Sequence, residues 1–533
     1  MAHVHIYKLE GTMLESIRVR NLRSLKDTDR VLLRPLTILL GENSCGKSTF
    51  LRTFPLLRQS AESSTRSSIL WFGKYVDFGD FDEALIREEG AKEIAFEFGL
   101  KVPSGIYYGP ARHMFRSKSH FESKIYISLR LASLGKDGLT RTAGVDLEID
   151  GNSIKVDISE AGKISSITVN GNSYNDYCDS FDYQPASKIF PIIGPRQSLG
   201  KDRIYSGWWG SITSQRVSDR LLSILSRYSH KRSSKEKLLA HTHVARIGSN
   251  EDMFIGFRAL DDTVTWRNKT AQVDISDSSY IEYRDLLLLS KLSLLLHNID
   301  DVLDYTFRRV SYIEPVRASA QRYYRSQDLA VSELDSKGEN LAMFIRNLSD
   351  RDRLSLESWM MSELGLKISA AFDGGHVSLR ITFSQSNQTY NLADMGFGFS
   401  QVMPVLVQLW TILNKASKPM MQIYSVPHIC VIEQPELHLH PRFQAKLAEI
   451  LVRASQLAKK NQTQLLIILE THSEVIINKV GLMTSDGAIP KEDSSIILFS
   501  KSSSTSNTQV EFSRYDNSGS LLNWPFGFFD FEV

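Results

Sequence analysis

Two stretches of this chain have the residue types and spacing for phosphate chemistry. Gly41-Glu42-Asn43-Ser44-Cys45-Gly46-Lys47-Ser48 reads G-x-x-x-x-G-K-S, the pattern of a phosphate-binding P-loop. Glycines let backbone N–H groups curl round phosphate oxygens, and a helix beginning behind the loop adds its positive dipole. The candidate nucleotide contacts are Asn43, Ser44, Gly46, Lys47, Ser48 and Thr49. Lys47 would reach the β- and γ-phosphates of ATP, and the Ser48 hydroxyl would ligate Mg²⁺. The second stretch, His428-Ile429-Cys430-Val431-Ile432-Glu433-Gln434-Pro435-Glu436, is an apolar run ending in a carboxylate. It fits a buried strand with the acid at its C-terminal end, where the crevices of parallel sheets lie. Glu433 is thus placed to hold Mg²⁺ as a Walker-B acid.

Two further stretches follow the same logic. Leu465 to Leu469 is another buried-strand run, leading through Glu470 and Thr471 to His472. A histidine there reaches a γ-phosphate or orients water, although a lone histidine is more often structural. Asp394-Met395-Gly396-Phe397-Gly398-Phe399-Ser400-Gln401 precedes an apolar helix reaching Leu413. Glycines with Ser and Gln at a helix N-terminus form a second anion cradle; a plain turn with a cap explains the same residues.

The elements that must position these groups are legible in outline. Leu36–Leu40 is a β-branched, apolar run before the loop, and residues 47–60 read as a helix that Pro55 bends or ends. Residues 13–40 read as two or three strands, Glu93–Leu100 as another, and 340–364 as helical. Between 101 and 304 the chain turns rich in Ser, Tyr and Gly, with short alternating strands such as Val145–Ile149 and Ile164–Val169 and an apolar helix from Leu286 to Leu303. The expected organisation is an α/β P-loop NTPase head, a mixed sheet with flanking helices, built from residues 1–100 and 305–533. A mixed α+β insertion with its own core, 101–304, interrupts it.

Composition narrows the class. A chain of 533 residues exceeds one ordinary core. Apolar content of 42% and charged content of 23% are those of a soluble globular protein. Net charge +2 implies no partner, so any basic surface must be local. Cys45, Cys178 and Cys430 have no metal-ligand spacing and argue for a reducing compartment. The first residues lack the apolar core of a signal peptide, and the longest apolar stretch, Leu286–Leu296, is interrupted by Lys291. A cytoplasmic protein without a membrane partner is expected.

One local basic surface stands out. Between Lys201 and Arg246 there are ten Lys/Arg against three Asp/Glu, with Trp208, Trp209 and Tyr228 among them. Arg227, Lys231, Arg232 and Lys235 are the candidate contacts to DNA or RNA. A solvated basic face, or a loop docking an acidic partner, explains them equally.

The order of P-loop, Gly/Ser-Gln signature, Walker B and His-loop resembles ABC-type ATPase heads. Glu433-Gln434-Pro435-Glu436-Leu437-His438-Leu439-His440-Pro441 and Glu470-Thr471-His472-Ser473-Glu474 resemble the RecF/OLD-like branch, often called AAA-type ATPases. So do Tyr312-Ile313-Glu314-Pro315-Val316-Arg317 and the tail Trp524-Pro525-x-Gly527-Phe528-Phe529. Within that branch the chain is similar to the PtuA components of Septu and retron antiphage systems. The resemblance implies a homodimer or higher oligomer that sandwiches ATP, with Gly396, Gly398, Ser400 and Gln401 acting in trans. It also implies a partner nuclease of HNH type, and for retrons an RNA–DNA and reverse-transcriptase complex. The alternative within the branch is a RecF-like repair or chromosome-maintenance ATPase acting on DNA.

The pattern departs from such heads at one position. A general-base Glu usually follows the Walker-B acid, and here that residue is Gln434, whose amide cannot take a proton from water. Weak turnover is expected, with Glu433, Gln434, Glu436 and His472 as the candidate catalytic set. The Q-loop glutamine is also displaced: Gln59 falls on the P-loop helix. After His472 only about sixty residues remain, too few for a TOPRIM nuclease. His241-x-His243 and His438-x-His440 are unconvincing metal pairs, so nuclease activity is expected in a partner.

Overall fold

Leu36–Gly41, His428–Glu433 and Leu465–Glu470 are unbroken apolar runs, and a strand apolar on both faces must be covered on both. In the computed structural model they lie side by side. The structure describes residues 13–63, 65, 67–103, 122–135, 138–185, 188–196, 214–326, 330–386, 388–416, 426–501 and 507–524. A seven-stranded sheet runs in the order Val310–Ile313, His428–Glu433, Leu465–Glu470, Leu36–Gly41, Ser494–Lys501, Thr508–Tyr515, Leu521–Leu522. The first five strands are parallel, and the last two pair antiparallel. This is the mixed sheet of a P-loop NTPase, with helices on both faces.

Alternate residues of each strand enter different cores. Leu39, Ile429, Val431, Leu466 and Ile468 face one core, shared with the helix Lys47–Glu62 and the helix Ser278–Phe307. Leu36, Ile38, Leu40, Cys430, Ile432, Ile467 and Leu469 face the other, shared with the helices Phe397–Ala416, Pro441–Lys460 and Glu474–Ser485. Pro55 does not end the P-loop helix, which runs through it to Glu62. Proline removes one helical hydrogen bond, but buried Phe50, Phe54, Leu56 and Leu57 on either side hold the helix to the core. Residues 340–364 form two helices, Leu341–Arg346 and Asp350–Leu364. The break comes where Ser349 caps the second by accepting from the Asp352 N–H.

The second sheet changes the reading of the middle of the chain. Glu93–Pro103 pairs antiparallel with Met13–Leu22 on one side and with Glu122–Ser133 on the other. Thr140–Ile149, Asn152–Ile158 and Ile164–Val169 then add in turn. A boundary at 100 therefore falls inside a strand. Ile94, Phe96 and Phe98 share one core with Ile125, Ile127 and Val145, and with the helix beginning at Ser278. Residues 101–304 thus extend the head's own sheet and core. The alternation of Glu93–Leu100 presents an apolar face, and the next strands continue that face rather than starting another.

The helix Ser278–Phe307 closes this core and is docked through a buried acid. Asp285, fully buried, accepts from Asn170 Nδ2 at 2.8 Å, Asn172 Nδ2 at 2.8 Å and Tyr174 Oη at 3.2 Å. Among the described residues no helix is long and apolar enough to cross a membrane.

The same helix carries a group whose titration couples to folding. Asp300 accepts from the Phe190 N–H at 2.9 Å. Burial, helped by neighbouring Asp304 and Asp301 against Lys188, pushes its carboxyl up to about 7. An unfolded aspartate titrates near 3.9, so the folded chain holds the extra proton between those values. That contribution to stability is complete below about pH 4 and is lost as pH rises through 7. Asp300→Asn keeps the acceptor and removes the titration. Its urea midpoint should therefore fall less than that of the wild type between pH 5 and 8.

Candidate active site at the ends of three parallel strands

The phosphate loop is built from close backbone approaches. Gly41 has φ +148°, and a Cβ there would lie 2.0 Å from the Phe499 carbonyl oxygen. Gly46, at φ +98°, is the residue before the helix, and a Cβ would crowd Leu25, Ser24 and Thr508. Thr508 Oγ1 donates to the Cys45 carbonyl at 2.8 Å, so a strand two places along the sheet holds the loop. Lys47 is buried, and its Nζ donates to the carbonyls of Gly41 at 2.9 Å and Glu42 at 2.5 Å. Asn43 and Ser44 are exposed on the loop, whereas Ser48 and Thr49 are half-buried. Ser44 holds a positive φ of 60°, a left-handed turn in the loop.

Three acids gather beside this loop. The strands pair in register, with Glu433 opposite Glu470 and Glu470 opposite Leu39. Glu470 therefore lies one strand from the P-loop strand, and Glu433 lies two. The Ser48 hydroxyl donates to Glu470 Oε1 at 2.9 Å, while Glu470 Oε2 is buried without a partner. Burial first, and then the negative charge of Glu433, raises the Glu470 carboxyl to about 7. Glu433 is 2% exposed and is fully engaged. Arg52 grips it through Nε at 2.8 Å and Nη2 at 2.9 Å, and Tyr312 donates its hydroxyl at 2.8 Å. The hydrogen bonds to Glu433 hold the Arg52 guanidinium well above its ordinary range. Burial and the Glu433 charge likewise raise the Tyr312 phenol.

The third acid, Glu436, accepts from the His472 backbone N–H at 2.7 Å, and burial raises its carboxyl. His472 is exposed at the rim, and partial desolvation of its ring, with the nearby Lys47 charge, lowers its basicity. Gln434 follows Glu433 at φ +41°, a left-handed backbone that its N–H stabilises by bonding the Glu470 carbonyl at 2.8 Å. Beneath these acids lies Arg317, 2% exposed. It donates to the carbonyls of Glu433 at 3.3 Å and Gln434 at 3.4 Å, and burial pulls its guanidinium down to about 10.

The signature residues are placed differently from a free anion cradle. Gln401 is bonded both ways to the Arg317 backbone, accepting at 3.0 Å and donating at 2.7 Å. Ser400 is buried. A Cβ on Gly398 would lie 2.7 Å from the His438 carbonyl, so this glycine lets the signature helix pack on the turn after Glu433. Gly396, at φ +84°, has open space around it. Gln59 is no phosphate contact: it is buried and brackets residues 70–76 through the Leu70 and Val76 backbones.

The basic stretch lies elsewhere, on the helices Gln215–Tyr228 and Lys235–Val244 and the turn between them. Arg227, Lys231, Arg232 and Lys235 are exposed. Tyr228 is not available for stacking on bases: its ring packs on Phe257 and Trp266, and its hydroxyl bonds Ser279. Lys201, Arg203, Trp208, Trp209 and the tail beyond Trp524 lie outside the described residues. Among the described residues no group of three or more His, Cys, Asp or Glu side chains is arranged to hold a metal ion. The acids and Ser48 at the strand ends are hard oxygen donors, the set that suits Mg²⁺ beside phosphate, and the orphaned Glu470 oxygen is a further fit.

Parts of the chain match known protein families. Residues 13–189 match the family "AAA ATPase domain", and residues 249–478 match "AAA domain, putative AbiEii toxin, Type IV TA system". Both matched models describe AAA-type ATPase domains, which supports a P-loop ATPase. Over 108 residues it is 27% identical to the phosphate import ATP-binding protein PstB of Borreliella burgdorferi, and equally to those of Borreliella afzelii and Borrelia garinii subsp. bavariensis. That match takes in 20% of this chain and 42% of each relative, so the chain spans about two fifths of the relatives' length. Two solved structures cover 94% of the chain. They are the Smc head domain of Pyrococcus furiosus bound to the C-terminal domain of ScpA (TM-score 0.34, 12% identity, 96% of that chain) and the SMC head of Thermotoga maritima (0.34, 9%, 98%).

Sequence reasoning singled out the loop, Glu433 and His472 but assigned no role to Glu470, Arg52, Tyr312 or Arg317. Glu470 carried a readable signal: it ends a buried apolar run just as Glu433 does. Arg52 and Tyr312 carried none, since only the fold brings them to Glu433. Removing Arg52 takes away the countercharge of the buried Glu433 and leaves it the Tyr312 hydroxyl, which costs roughly 1–3 kcal/mol for a pair whose Arg side chain is 37% exposed. Arg52→Ala should therefore lower the thermal midpoint of the nucleotide-free chain by several degrees. Because a bound cation would replace the lost charge, Mg·ATP should raise the variant's midpoint more than the wild type's.

Proposed function

We propose that the chain binds Mg·ATP at the P-loop, hydrolyses it slowly, and dimerises around it to regulate or scaffold a partner nuclease in antiphage defence. The observation that carries the ATP reading is the convergence of Lys47, Ser48, Glu470 and Glu433 at the ends of adjacent parallel strands. Mg²⁺ beside the β- and γ-phosphates would neutralise charge there and orient them. Lys47 would exchange its loop carbonyls for phosphate oxygens, and Ser48 with the strand-end acids would hold the cation.

Slow turnover follows from what surrounds the attacking water. Gln434 offers an amide where a base is needed. Glu436 is tied to the His472 backbone, and Glu433 is saturated by Arg52 and Tyr312. Long-lived ATP-bound states suit a switch better than a motor. In the dimer, Gly396 and the start of its helix would face the partner's nucleotide, with Gly398, Ser400 and Gln401 setting that helix in place. The nuclease-control reading is supported by the resemblance to PtuA and by a family description that names a toxin of a toxin–antitoxin system. An HNH nuclease, or in a retron an RNA–DNA complex, is the partner this implies.

The exposed cluster Arg227, Lys231, Arg232 and Lys235 favours a second reading, a RecF-like ATPase that grips DNA or RNA directly. Reversing these four charges should abolish salt-sensitive nucleic-acid binding and spare ATP binding; retention of that binding would remove the patch from the account. For the main reading, light scattering with a non-hydrolysable ATP analogue should show the mass doubling. Lys47→Ala should abolish both the doubling and nucleotide binding. Co-purification from the native operon should recover a nuclease. Brisk DNA-stimulated turnover with no partner would favour the second reading.

A further inference from the structure

We infer that Glu470 is a second working carboxylate of the metal–phosphate site, one that orients the Ser48 hydroxyl and presents its other oxygen to the cation. The inference rests on the Mg·ATP reading and deepens it by assigning each Glu470 oxygen its own task. Glu470 Oε1 already accepts the Ser48 hydroxyl at 2.9 Å. Glu470 Oε2 has no partner, although the residue is only 2% exposed. A buried carboxylate oxygen without a donor is costly, and a cation bound there would satisfy it.

Position and competition both favour Glu470. It stands one strand from the P-loop strand, about 4.8 Å closer than Glu433, given ordinary strand spacing. Both Glu433 oxygens are occupied, Oε1 by Arg52 and Tyr312 and Oε2 by Arg52. A cation approaching Glu433 must displace a bidentate guanidinium, whereas at Glu470 an oxygen waits. Glu436 Oε2 is also unpartnered, but the buried guanidinium of Arg317 lies near enough to stabilise its charge. Its other oxygen is fixed by the His472 backbone.

The test uses Mn²⁺ as probe, read by electron paramagnetic resonance with a non-hydrolysable ATP analogue. Loss of one orienting carboxylate should weaken Mn²⁺ about 10–100-fold in Glu470→Gln. Binding of the metal-free nucleotide in EDTA should stay within about threefold, since phosphate is held by Lys47 and the loop. Glu470→Asp, the second variant, retains the charge on a shorter arm and should give an intermediate Mn²⁺ affinity. Wild-type Mn²⁺ affinity in Glu470→Gln, or in Glu470→Asp should the first variant not fold, would overturn the inference alone. Failure of the wild type to bind the Mn²⁺·nucleotide would overturn the ATP reading with it.

Discussion

The site depends on the register of three parallel strands. Because Leu465–Glu470 pairs with both His428–Glu433 and Leu36–Gly41, their C-terminal ends fall level. That alignment places one carboxylate beside the P-loop serine and a second beside the first. A slip of one residue would turn each acid to the opposite face of the sheet. The apolar runs that make these strands buried on both faces are therefore also what fixes the chemistry at their ends. The two cores on either side hold the register, and the helices bearing Lys47 and the signature each belong to one of them.

Concentrating acids in a buried place has to be compensated, and the compensation defines the resting state. Arg52 and Tyr312 neutralise Glu433, the Ser48 hydroxyl bonds Glu470, and Arg317 lies under Glu436. Lys47 meanwhile rests on loop carbonyls. Every charged group that would meet Mg·ATP is thus held by a contact that the ligand can replace. Arg317 further joins the acids to Gln401 at the start of the signature helix. The helix Phe397–Ala416 is thereby tied to the chain's own acid turn.

Much of this was legible in the sequence, for physical reasons. A G-x-x-x-x-G-K-S loop between an apolar run and a helix has few alternatives, and an apolar run ending in Glu433 predicts a strand end. Contacts made by the fold between distant residues left no local trace, as with Arg52 and Tyr312 on Glu433. Packing decided what the local pattern left open. Pro55 was expected to bend or end the helix, and it does not end it: its buried neighbours hold the helix through to Glu62. Residues 101–304 were expected to have their own core, whereas their strands extend the sheet begun by Met13–Leu22 and Glu93–Pro103. In the basic stretch, Tyr228 was counted among aromatics for stacking, yet its ring is part of a helical core.

The most direct test of the central claim is a crystal structure of the chain with Mg²⁺ and a non-hydrolysable ATP analogue. The account predicts Lys47 Nζ moved from the Gly41 and Glu42 carbonyls onto phosphate oxygens, the phosphates cradled by the loop N–H groups, and the cation between Ser48 and the strand-end carboxylates. Nucleotide bound away from the loop, or Lys47 still seated on those carbonyls beside an occupied site, would contradict it.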